Sequence, residues 1–218
     1  MAKQDRAIRT RRAILEAAAN VFQKQGYQGA TITEILREAG VTKGALYFHF
    51  QSKEELAQGV IEAQEPQPVP DQPLKLQELI DSGLMLSYRL RTNLLARAGV
   101  RLSMDQQAHS LDRRAPFIRW QESVLSTLCA AKENGELLPH VVPAETADVL
   151  VGAFAGIQVM SQTLSDYEDL EGRCVTMQRH ILAGITVPSV LNALDMSMER
   201  SGRLAVATEE VEAGEAVS

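Results

Sequence analysis

The sequence predicts an all-α chain, on three observations. Apolar residues recur at helical spacings of three, four and seven along most of its length, and no run alternates in the manner of a strand. The breaks between periodic segments fall at glycines, prolines and capping pairs. With 218 residues, 45% of them apolar, such a chain can bury a sizeable core without disulfide or metal staples.

From Thr10 onward Ile14, Leu15, Ala18, Val21 and Phe22 share one helical face, arginines 9, 11 and 12 cluster at its start, and Gly26 ends the helix. Thr31 and Glu34 have capping-box spacing ahead of Ile32, Ile35, Leu36 and Ala39, a helix of about two turns. Gly40 supplies the left-handed conformation that closes a helix, and Thr42 can cap another beginning at once. In that next helix Val41, Ala45, Leu46 and Phe48 are expected to pack inward against Ile35, Leu36 and Phe22. Ser52 and Glu55 repeat the capping spacing and open a longer helix toward Gln64. Prolines 66, 68, 70 and 73 make 66–73 an exposed link. Beyond it, helical periods run over about 74–92, 94–106, 116–134, 144–164, 168–184 and 188–206, broken at Gly135, Pro143, the Asp166 region and Pro188. The expected organisation is a three-helix domain over 1–53, a helical domain over 54–207, and a disordered tail over 208–218, rich in Glu, Ala and Gly.

Charge is distributed unevenly. Residues 1–53 carry nine lysines and arginines against four carboxylates, a balance of +5 within a chain total of −6, which leaves −11 for the remainder. Moving the boundary past Glu54 and Glu55 lowers the first figure to +3 without changing its sign. A basic head on an acidic body suits a polyanion at one end only. Cys129 and Cys174 are isolated from each other and from any histidine, so no metal site, redox pair or cofactor is expected, and both read as buried thiols. Histidines 49, 109, 140 and 180 are dispersed, no nucleophile sits beside a base in a recognisable motif, and there is no glycine-rich phosphate loop. No catalytic residues are therefore expected, and an enzyme with a non-obvious active site is the remote alternative. The polar, charged start Met1 to Arg6 is unlike a secretory signal, so a cytoplasmic, nucleoid-associated location is expected. Residues 149–165 lack formal charge, yet they include Gln158, Ser161, Gln162 and Thr163 and fall short of the roughly 20 apolar residues of a membrane span. A buried helix is expected there, and no membrane partner.

Two short helices joined by Ala39-Gly40-Val41 can cross steeply, so that the second projects its N-terminal side chains from a three-helix core. That helix offers Thr42, Lys43, Gly44 and Tyr47 on one side. Lys43 can donate to phosphate or to a guanine edge, Gly44 lets the backbone approach closely, and Tyr47 and His49 can reach phosphates or base edges. On these residues alone, a helical hairpin with merely solvated charges fits about as well.

The run Gly26-Tyr27-Gln28-Gly29-Ala30-Thr31-Ile32-Thr33-Glu34-Ile35, with Ala39-Gly40-Val41-Thr42-Lys43-Gly44-Ala45-Leu46-Tyr47-Phe48-His49-Phe50-Gln51-Ser52-Lys53-Glu54-Glu55-Leu56, resembles the DNA-binding domain of tetracycline-repressor-type (TetR) regulators. The resemblance implies that Thr33, Thr42, Lys43, Gly44, Tyr47, His49 and Lys53 touch double-stranded operator DNA, and that the rest is an all-helical ligand-binding and dimerisation domain. To about residue 206 the chain is similar to the gamma-butyrolactone autoregulator receptors of streptomycetes, through residues 41–50, Arg97-Ala98-Gly99-Val100-Arg101-Leu102 and Pro116-Phe117-Ile118-Arg119-Trp120. Such receptors sit on promoters of antibiotic-production genes and let go when the signalling lactone accumulates. A regulator of the same type answering to antibiotics or biosynthetic intermediates is the alternative.

That similarity implies that Trp120, the only tryptophan, covers a small lipophilic ligand. Met85, Tyr88, Val100, Phe154 and Ile157 lie on segments able to supply apolar walls, and Gln64, Gln158 and Thr163 are candidate polar handles. For the glutamines an ordinary surface or capping role fits as well, and Thr163 can bond its own helix. Segment 144–164 is apolar nearly all round, and Gly152, Ala153 and Gly156 permit close approach of a second subunit. The family pairs this helix and the next, about 168–184, with their symmetry mates. A homodimer of that kind places two reading heads about 34–36 Å apart, one turn of a palindromic site.

Overall fold

The structure, a computed structural model, describes residues 2–63, 69–204 and 206, with side chains from Arg6 onward. The expectations for Gln64, for the first part of the proline-rich link and for the tail lie outside the described residues. The regular elements among the described residues are helices, with one isolated antiparallel bridge between Leu137 and Thr186. They form two compact units, one drawn from the described residues of 1–65 and 92–117, the other from those of 66–91 and 118–218.

The first unit holds α1 (Ala2–Gly29), α2 (Ile32–Ala39), α3 (Lys43–His49), α4 (Lys53–Glu62) and, after α5 (Lys75–Thr92) of the other unit, α6 (Leu94–Met104). Gly26, at φ 71°, interrupts α1. Each later start is capped by a side chain: Thr31 Oγ1 accepts from the Glu34 amide while Glu34 reaches back to the Thr31 amide, Thr42 Oγ1 accepts from the Ala45 amide, and Ser52 Oγ from the Glu55 amide. Gly40 closes α2 at φ 62°, a conformation that disfavours a Cβ. Ile14, Ala18, Phe22, Ile35, Leu46, Phe50, Leu56 and Ile61 form the core.

Helix α6 completes that core through Ala98 and Leu102 and packs on α1 and α4, so the compact unit does not end at residue 53. The proline run lies in the chain between α4 and α5, but the chain returns to the first unit after it. Arg101 Nη1 donates to the Gln23 carbonyl at 2.6 Å, and Asp105 accepts from the Tyr27 amide at 3.4 Å.

The second unit holds α5 as far as Arg91, α7 (Ala115–Glu133) from Ile118 onward, α8 (Pro143–Ser165), α9 (Leu170–Ile185) and the short α10 (Pro188–Leu191). Buried Glu136 accepts from the Lys75 and Leu76 amides, both at 2.9 Å, and so caps α5 from a distant part of the chain. Asp166 and Tyr167, at φ 49° and 71°, end α8. Asp169 then accepts from the Ser161 and Ser165 hydroxyls at 2.6 Å and from Arg173 at 2.7 Å, bonds that hold its carboxyl well below the usual range.

The single helix expected over 188–206 does not form: α10 stops at Leu191 and helix resumes only at Arg200. Side chains capture the intervening backbone. Asp195 accepts from the Ser197 amide at 2.9 Å, and the Asp195 amide donates to Gln77 Oε1 at 2.8 Å. Arg200 then pairs with fully buried Asp81 on α5, Nη2 to Oδ2 at 2.7 Å. The expectation of two buried thiols holds for Cys174 but not for Cys129, which is exposed on α7; the inward positions around it belong to Leu128 and Ala131.

Candidate nucleic-acid interface and ligand cavity

Leu46 anchors α3 with no exposed surface, and Phe50 follows it into the core. On a helix this fixes the other edge. Thr42, Lys43, Gly44, Tyr47 and Phe48 are exposed, and His49 is half-buried. The inward packing expected of Phe48 is overturned: it is 77% exposed, because two positions beyond Leu46 a side chain lies on the far side of the helix. Its ring meets His49 edge-on at 5.0 Å, and Lys43 Nζ stands 5.8 Å from the Tyr47 ring centroid. The edge therefore combines a cation, a phenol, a hydroxyl and a large apolar ring. Gly44 adds a bare stretch of backbone, since a Cβ there would meet nothing within 4 Å.

Thr33 is exposed on α2. Lys53 is placed differently. Its ammonium lies 4.7 Å from the Tyr27 ring centroid and within 3.4 Å of the Gln28 carbonyl, and partial burial lowers its pKa. It thus joins α4 to the end of α1 within the first unit.

In the second unit a narrow cavity of about 30 Å³ is lined by Leu79, Ile80, Trp120, Val124, Phe154 and Gln178, among others. Trp120 and Phe154 meet edge to face at 5.0 Å and 84°. The structure thus brings together two of the residues singled out as ligand-binding. Met85, Tyr88, Ile157 and Gln158 are not among the lining residues, and Val100 belongs to the first unit. Thr163 is exposed, its hydroxyl donated to the Val159 carbonyl at 2.8 Å, as a threonine bonded to its own helix would be. Gln178, which no sequence pattern singled out, lines the cavity. Its placement depends on a glycine of another helix, so no local signal marks it.

Helix α8 is long and apolar enough to cross a membrane by length and composition. It buries Ala147, Leu150, Val151, Phe154, Gln158 and Ser161, whereas Val149, Gly152, Gly156, Val159, Met160 and Leu164 are exposed. A helix buried on both sides was expected, so one apolar side stands uncovered in the single chain. Gly152 and Gly156 have no neighbour within 4 Å of a would-be Cβ. Among the described residues, no group of three or more His, Cys, Asp or Glu side chains is placed to hold a metal ion.

Residues 14–60 match the family described as bacterial regulatory proteins, tetR family. The A-factor receptor protein of Streptomyces griseus is 43% identical over 192 residues, 88% of this chain and 69% of that relative. Among solved structures, full-length native TylP, a TetR regulator from Streptomyces fradiae, is 45% identical, with a TM-score of 0.86 over 93% of this chain and 98% of its own. A gamma-butyrolactone receptor described as ArpA-like is 27% identical, with a TM-score of 0.70 over 91% of this chain and 98% of its own. With a capped α2, the Gly40 turn and an α3 that exposes one edge inside the matched segment, and with identity that continues far beyond it, the chain belongs to the TetR family of DNA-binding transcriptional regulators.

Proposed function

We propose that this protein is a cytoplasmic repressor that binds a palindromic operator as a homodimer and is released by a gamma-butyrolactone-type ligand. The observation that carries the DNA reading is the edge of α3, on which Thr42, Lys43, Gly44 and Tyr47 are exposed while Leu46 holds the helix on its core. Thr33, exposed on α2, would join that edge on the DNA, with Lys43 donating to a phosphate or a guanine edge and Tyr47 and His49 reaching phosphates or base edges. Lys53 contributes by holding the end of α1 against α4 and by adding positive charge.

Trp120 carries the ligand reading, at a cavity whose walls are mainly apolar. The gamma-butyrolactone receptor among the similar proteins supports a ligand of the lactone class, and the A-factor receptor supports a small-molecule signal. Small-molecule sites enclose roughly 300–1,000 Å³, so a lactone with an alkyl tail must spread the walls of a 30 Å³ cavity. Trp120 lies on α7, whose first turn, Ala115–Phe117, is assigned to the DNA-reading unit. A ligand that displaces Trp120 therefore acts on a helix shared with that unit. Release requires only that the ligand bind more tightly to a conformation that fits the operator less well, and by linkage the operator weakens ligand binding by the same factor.

The uncovered side of α8, together with α9, supplies the twofold contact. The test is selection of a binding sequence from random duplexes, followed by gel-shift titration with and without an alkyl gamma-butyrolactone. A palindromic site whose complex dissociates on lactone addition is expected. Binding that ignores the lactone but responds to an antibiotic or a biosynthetic intermediate would reassign the inducer, and absence of any selected sequence would remove the operator reading.

A further inference from the structure

Gln178 points inward from α9 with 4% of its surface exposed. Its Nε2 donates to the Ile80 carbonyl on α5 at 3.1 Å, which fixes the amide, because the reversed orientation would set two oxygens against each other. The Oε1 atom is thereby held as an acceptor, buried and without a hydrogen-bond partner among the described residues. Buried polar atoms left unpaired are scarce in folded proteins and ask for an explanation. This one belongs to a residue lining the cavity beside Trp120, Val124 and Phe154. A glycine makes the placement possible: a Cβ at Gly83 would stand 2.7 Å from Gln178 Nε2 and 3.2 Å from Cys174 Sγ, so the amide lies against α5 only because Gly83 has no side chain.

We infer that Gln178 Oε1 is the polar anchor of the ligand site, accepting a hydrogen bond from a hydroxyl or N–H carried by an otherwise apolar ligand. The inference rests on the reading of this cavity as the inducer site. A lactone ring offers acceptors alone, and its carbonyl would meet the Gln178 oxygen as like against like. The donor must therefore sit on a substituent of the ring. Ser82 also lines the cavity, but a hydroxyl can donate or accept and so does not discriminate. A site with a fixed acceptor disfavours an analogue that lacks the donor, because the buried acceptor then stays unpaired beside the bound ligand. The protein is thus selective for hydroxyl-bearing lactones over their deoxy counterparts.

Calorimetric titration of the full-length protein with two probes tests this: an alkyl gamma-butyrolactone bearing one side-chain hydroxyl, and the same compound without it. The wild type should prefer the hydroxylated probe by about tenfold or more. Gln178→Met, which keeps the volume and removes the acceptor, should bind both within about threefold of each other. Gly83→Ala, which pushes the amide off Ile80 while leaving Gln178 intact, should shrink the preference as well, and unchanged circular dichroism would show that both variants fold. Equal affinities in the wild type, or a preference that survives Gln178→Met, would overturn the assignment. Binding of neither lactone would overturn the lactone reading of the proposed function, and this inference with it.

Discussion

A Cβ built on Gly44 would meet nothing within 4 Å, so the fold does not require glycine there. Within a helix, alanine in place of an exposed glycine stabilises by about 0.5–1 kcal/mol. Gly44→Ala is therefore expected to raise the melting temperature slightly and to weaken operator binding, since the added methyl stands where backbone would approach DNA. Thermal melts beside anisotropy titrations separate the two effects, and a variant that binds as well as the wild type would release Gly44 from the interface. The cysteines diverge in the same local way. Burial pushes the Cys174 thiol up to about 12, so it stays protonated and shielded at neutral pH, whereas Cys129 is exposed. Alkylation of the native protein should label Cys129 alone, and denaturant should add the second thiol; rapid native labelling of Cys174 would contradict its packing against α5.

At the scale of elements, the helices with local signals were legible in the sequence. Thr31 with Glu34, Gly40, Thr42 and Ser52 mark α2, α3 and α4 because a cap is decided by neighbours three residues apart. The outward side of Phe48 is not legible in the same way, because α3 has only seven residues, too few to fix its inward face by periodicity. The break in 188–206 was invisible for a different reason. It is imposed by Gln77 and Asp81, more than a hundred positions away, whose bonds with Asp195 and Arg200 outcompete a continuous helix. Asp81 is fully buried, so removing its partner leaves an uncompensated carboxylate. Arg200→Met should cost about 3–5 kcal/mol, read as a shifted denaturant midpoint. A change below about 1 kcal/mol, the scale of an exposed pair, would mean that this pair does not hold the C-terminal segment to α5.

For the whole molecule, the sequence points to a first domain of residues 1–53, yet α6, far beyond that boundary, belongs to the first unit and packs Ala98 and Leu102 into its core. Composition cannot show such a placement, because it depends on packing between distant segments. The cavity was legible only through Trp120 and Phe154, and Gln178 emerged from the close approach of Gly83. The apolar side of α8 asks for a partner, and Leu164 on it is 67% exposed. Leu164→Glu should shift the protein from dimer toward monomer in sedimentation and reduce operator affinity without unfolding it; an unchanged dimer would place the subunit contact elsewhere. The central claim is that the exposed edge of α3 enters a DNA groove. Its most direct test is anisotropy titration of a selected palindrome over a range of salt concentrations, with wild type beside Lys43→Ala and Tyr47→Ala. The predicted result is an affinity that falls linearly with salt on logarithmic axes, with a slope shallower by about 0.9 for each phosphate that Lys43→Ala leaves without its cation. Folded variants that match the wild type in affinity and in salt dependence would contradict it.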